Sequence, residues 1–91
     1  MNNNHDVNKG LSVGALNSLT QAEWKVLLLI AADSPNSEIA QVLSIEIKSV
    51  RNYRTRIGDK LCMKGYFVLG AVARRHRDQL NKLYTDWYKA S

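Results

Sequence analysis

Apolar residues recur at helical spacing through most of the chain, and nowhere do they alternate for long. The pattern opens at Leu19-Thr20-Gln21-Ala22-Glu23-Trp24. Thr20 followed by Glu23 is a capping box, in which each side chain accepts a hydrogen bond from the other's backbone N–H. Leu19 and Trp24 hold the flanking hydrophobic-staple positions. A first helix is predicted over 21–32. Asp33-Ser34-Pro35-Asn36 ends it, with Ser34 placed to cap a second helix over 35–43 that has Pro35 at its first position. Ser44-Ile45-Glu46 is a short turn around one apolar residue, and a third helix is predicted over 47–61. Met63-Lys64-Gly65 interrupts again, and a fourth helix is expected over 66–88. Residues 1–18, with Asn2-Asn3-Asn4 and two glycines, have little periodicity and read as a flexible N-terminal arm or linker. The expected class is all-α, one domain of four helices over 19–91.

The 35–61 stretch is a short helix, a tight turn and a longer helix. Ala40 is small where two crossing helices must approach, and Ile45 can plug the corner. At about 100° per residue, Ile47, Val50, Ile57 and Leu61 form one apolar stripe of the third helix. Lys48, Arg51, Asn52, Thr55 and Arg56 fall on the other side, with Asp59 as the one carboxylate among them. Such a face suits the major groove of DNA, because Arg can pair bidentately with guanine, Asn with adenine, and Thr can touch the thymine methyl. A plain solvated helix face is the alternative, although it would usually carry more i,i+4 carboxylate partners.

Composition adds limits. The 91 residues, 45% of them hydrophobic, make one small core. No apolar run spans a bilayer and no signal peptide is evident, so a cytoplasmic location without membrane contact is expected. Cys62 is the single cysteine. It excludes an internal disulfide, and a packing role is expected for it rather than reactivity. No zinc-ligand spacing, nucleophile–base pair or phosphate-cradling glycine loop is present. An enzyme, a metal site, a cofactor and a small-molecule ligand are therefore not expected. Charge is divided unevenly: two basic against five acidic residues over 1–47 give −3, and eleven against three over 48–91 give +8. That asymmetry fits any polyanion, or simply a solvated basic surface.

Leu19, Thr20, Glu23, Val26, Leu27, Leu29, Ile30 and Ala31 together resemble the opening of LuxR/GerE-type domains. Asn36, Glu38, Ile39, Ala40, Leu43 and Ile45 are similar to the family's second helix. Lys48-Ser49-Val50-Arg51-Asn52-Tyr53, Ile57 and Lys60-Leu61 look like its third. The resemblance runs without a gap from Leu19 to Leu61, and more loosely to Ala73. It implies a four-helix, non-enzymatic helix-turn-helix domain of bacterial transcription regulators that binds double-stranded DNA as a dimer. By position it implies base contacts from Arg51, Asn52 and Thr55, and phosphate contacts from Lys48, Ser49, Tyr53 and Lys60; Arg56 joins this DNA-binding set from the exposed face. The chain departs from the family at Gln21 and Ala22, where proline and arginine are usual, and at Asp33 and Cys62, where glycine is. Arg54 replaces an apolar residue, and a partly buried ion pair with Glu23 or Glu38 is expected for it in preference to a base contact.

Leu69, Val72, His76, Leu80, Leu83 and Trp87 step by three and four, as in a heptad seam. Two readings stay open: a homodimer interface, which the family's fourth helix implies, or a tail folded back on its own core. RNA polymerase is a further candidate partner. Alternatives to specific DNA binding are a helix-turn-helix that blocks dimers or binds a protein partner, and a sigma-factor-like promoter-reading domain.

Overall fold

A computed structural model describes residues 11–88, apart from the side chain of Tyr66. The elements are α1 (Val13–Asn17), α2 (Gln21–Ala31), α3 (Asn36–Leu43), α4 (Ile47–Lys60), α5 (Tyr66–Arg75) and α6 (Arg77–Tyr88). Among the described residues there is no strand, so the all-α expectation holds. Nor is any helix there long and apolar enough to cross a membrane.

α2 is the central element and packs against α3, α4, α5 and α6. Its start is the capping box read from the sequence: Glu23 N donates to Thr20 Oγ1 at 3.1 Å, and Thr20 N donates to Glu23 Oε1 at 2.9 Å. Trp24, Val26 and Leu27 are fully buried, and Leu19 nearly so. Ile39, Val50, Ile57 and Leu80 close the core from the other helices. α3 begins one residue later than expected: Pro35 is its N-cap, and no side chain caps it.

Part of the expected N-terminal arm is structured. Ser12 Oγ accepts from Ala15 N and starts α1, which sends Leu16 into the core with no exposed surface. Residues 1–10 of that arm lie outside the described residues.

The single helix expected over 66–88 is two helices that meet at His76, whose backbone (φ −108°, ψ 24°) ends α5. A straight helix of that length would run about 34 Å and carry Leu80 past the core. With the break, Leu69 and Ala73 of α5 and Leu80 of α6 are all buried. α6 also covers Trp24, whose ring meets Trp87 edge-on at 5.5 Å and Tyr84 tilted at 5.9 Å. The Trp24 indole N–H is buried without an acceptor among the described residues, so ring packing alone holds this contact.

Candidate nucleic-acid interface

α4 is fixed from both ends and from below. The α3–α4 corner turns at Ser44 in the left-handed region (φ 57°), which lets Ile45 N donate to Ala40 O at 2.9 Å. At the far end Met63 N donates to Gly58 O at 2.8 Å. A Cβ at Gly58 would stand only 2.8 Å from Met63 O, so this return of the chain requires glycine. Val50 and Ile57 are fully buried between these anchors and Leu61 is nearly so. Ile47 departs from the expected stripe: at the first position of the helix it is 40% exposed.

Lys48, Arg51, Asn52, Thr55 and Arg56 are exposed, with Ser49 and Tyr53 half-buried at the flanks. The helix presents them together as the sequence expects. Thr55 Oγ1 donates back to Arg51 O at 3.2 Å, so its hydroxyl proton is used within the helix. Arg56 lies over the Tyr53 ring, 4.7 Å from its centroid.

Two residues of α4 are placed otherwise than the sequence suggests. For Lys60 the resemblance implies a contact with the DNA backbone. Its ammonium, on a side chain one-third exposed, donates to Glu23 Oε1 at 2.8 Å and to Ser18 O at 3.2 Å. Arg54 is half-buried as expected, but the Glu23 carboxylate is held by Lys60 and, at 3.6 Å, by Arg56 Nε. Arg54 Nη1 reaches Asn36 Oδ1 at 3.4 Å. Glu23 is the residue the sequence underrated. Its capping role was legible, while its place beneath α4 depends on how the helices cross. Burial alone would raise its pKa. Hydrogen bonds from Lys60, the Thr20 backbone and the Thr20 hydroxyl, with the Lys60 charge, outweigh this and hold the carboxyl below its ordinary value.

Of the heptad-spaced residues of α5 and α6, most face the core, while Trp87 keeps 37% of its surface exposed. Leu69 and Leu80 are buried, Val72 and Leu83 are packed against the same core, and Trp87 rests on Trp24. His76 is half-buried at the α5–α6 junction. Leu69 and Leu80 therefore offer no surface to a second copy. Cys62, expected to be a packing residue, is exposed. It stands with Asp33 in the left-handed region, at φ 59° and 65°, a conformation in which glycine is at ease.

Among the described residues no group of His, Cys, Asp and Glu could hold a metal ion. Residues 17–72 match the GerE family model, described as bacterial regulatory proteins of the luxR family. No curated protein and no solved structure matches the chain. The matched segment covers more than half of the sequence, including α2, α3 and α4 entire, and the chain belongs to the luxR family of helix-turn-helix regulators, whose function is DNA binding in transcription control.

Proposed function

We propose that α4 enters the major groove of double-stranded DNA. Arg51, Asn52 and Thr55 meet base edges there, while Lys48, Ser49, Tyr53 and Arg56 meet the phosphate backbone. The supporting observation is the two-sidedness of α4: Val50 and Ile57 have no exposed surface, while Lys48, Arg51, Asn52 and Thr55 are all exposed. A helix held so firmly from behind can present its outer residues in fixed register. Arg51 and Asn52 carry the paired donors and acceptors that discriminate bases. Thr55, with its hydroxyl proton used internally, suits a thymine methyl. Backbone contacts orient the domain without specifying sequence.

The active form in this reading is a homodimer joined through α5. The face that serves is Phe67, Val68 and Ala71, not the Leu69–Trp87 seam. Phe67 is 83% and Val68 45% exposed, and Ala71 is exposed one turn further on. A two-fold pairing there sets two α4 helices against successive major grooves.

Selection of bound duplexes from a random pool tests the reading. A recovered palindromic consensus, with affinity falling steeply as salt rises, is the expected result. Arg51→Ala should relax one base position at a cost of about 1–3 kcal/mol. Recovery of no consensus, with no salt-sensitive binding to any duplex, would favour a protein-interaction module instead.

A further inference from the structure

Beside the start of α3 lies a cavity of about 260 Å³ that base reading by α4 leaves unused. Arg54 of α4 and Phe67 and Arg74 of α5 line it, together with Asp33 and Ser34 of the turn that leads into α3 and Asn36, the first residue of α3. The two guanidinium groups converge over Gly70. A Cβ at that position would stand 3.1 Å from Arg74 Nη1 and 3.7 Å from Arg54 Nη2. Both guanidinium groups thus lie against the same stretch of α5 backbone.

Arg54 Nη1 donates to the Asn36 amide oxygen, and Arg74 Nη1 lies 3.5 Å from Asp33 Oδ1. Among the described residues that line the cavity, Asp33 is the one carboxylate, against two guanidinium groups. Its side chain is 76% exposed, so solvent screens that pair. The N-terminus of α3 takes no cap from a side chain and adds the positive end of its dipole to the same place. Excess positive charge, forked donors and room for a tetrahedral anion therefore coincide.

We propose that Arg54 and Arg74, meeting across Gly70 at the start of α3, form a phosphate-binding subsite, and that the DNA backbone supplies the phosphate. Guanidinium forks match the oxygens of a phosphate better than any other common ligand of this charge. The backbone is the favoured source because Arg54 also lines the adjoining cavity with Arg51 and Thr55 of the reading face. Arg54 lines both cavities and so links the base-reading residues to Arg74. A free phosphate ester shares the chemistry, and only the choice of DNA as source rests on α4 reading DNA.

The test compares the parent chain with Arg74→Gln and Asp33→Asn, each checked for an unchanged fold by its thermal melt. Asn tolerates the left-handed backbone of position 33 (φ 65°), so Asp33→Asn removes the competing charge without straining the turn. One arm titrates inorganic phosphate and follows the backbone amide signals of Ser37 and Gly70 by NMR. The other measures affinity for a pool-selected duplex over a range of salt. The expected result is a saturable phosphate response that Arg74→Gln abolishes and Asp33→Asn tightens several-fold. On the duplex, Arg74→Gln should lower the slope of log affinity against log salt by about 1 and leave base preference alone. A flat phosphate titration together with an unchanged salt slope overturns the subsite. A saturable titration with an unchanged slope keeps the subsite for a free phosphate ester and overturns the DNA source. Should the parent chain bind no duplex, the reading of α4 fails, and the phosphate titration still decides the subsite.

Discussion

The ammonium of Lys60, at the last position of α4, stands 2.8 Å from Oε1 of Glu23, which is buried in the first turn of α2. One carboxylate thereby closes the capping box of α2 and ties down the end of the reading helix. Removing the cation should be costly. Lys60→Met leaves the buried charge with the Thr20 backbone N–H and, as its remaining cation, Arg56 at 3.6 Å. A loss of about 2 kcal/mol is expected, below the range for a fully buried pair because Lys60 is one-third exposed. Urea denaturation measures it; a change within about 0.5 kcal/mol would show the pair to be ornamental.

Glu23 also sets an acid limit. Its carboxyl titrates below the ordinary value of 4.5 in the fold, since burial, which raises it, is outweighed by Lys60 and Thr20. A carboxyl depressed on folding contributes stability that is fully present above its unfolded value and is lost as pH falls through the folded one. The melting temperature should therefore decline from just above pH 4.5 downward, and Glu23→Gln should flatten that decline. A parallel decline in both proteins would place the acid sensitivity elsewhere.

Cys62 occupies a left-handed turn in which its Cβ is crowded (φ 59°). Relief of that conformation makes Cys62→Gly stabilising by about 1 kcal/mol, offset in part by the greater freedom of glycine in the unfolded chain. Because Cys62 is exposed, no cavity is opened by the change. Differential scanning calorimetry should show a higher melting temperature, and a lower one would mean that the thiol makes a contact worth more than the strain.

How far the sequence reveals this fold depends on the range over which each feature is decided. The α2 capping box, the α3–α4 corner and the buried and exposed sides of α4 follow from spacings of three to seven residues, and all are legible. Ile47 misleads because a stripe on a helical wheel carries no information about where a helix leaves the core. Lys60 and Glu23 are 37 residues apart, and their pairing depends on the angle at which α2 and α4 cross. The break at His76 is a similar case. A periodicity of three and four continues smoothly across it, so only the need to bury Leu69 and Leu80 on one core reveals that the chain must turn. The convergence of Arg54 and Arg74 over Gly70 involves two helices, α4 and α5, and left no pattern along the chain.

α6 lies beyond the segment that matches the family, yet it supplies Leu80 to the core and covers Trp24. A chain ending at His76 should lose several kcal/mol, since deleting a fully buried leucine side chain alone costs about 3 kcal/mol. Trp24 would then be the remaining tryptophan of the two, which makes its fluorescence a direct reporter. A red-shifted emission and a broadened unfolding transition are expected. Native emission with an unchanged midpoint would show α6 to be an appendage.

Association and core packing should separate cleanly along α5 and α6. Val68 and Ala71 are exposed, whereas Leu80 has no exposed surface. If two copies pair through the outer face of α5, Val68→Glu places like charges across the two-fold axis and buries them on pairing. That variant should sediment as a monomer where the parent chain dimerises, with its melting temperature measured as a monomer little changed. Leu80→Ala should do the reverse, lowering stability by about 2–5 kcal/mol while leaving the affinity between folded copies intact. Should Leu80→Ala abolish association in a chain that remains folded while Val68→Glu leaves it unaltered, the pairing face would have to be sought on α6. The spacing of the two α4 helices, and with it the separation of the DNA half-sites, would then change as well.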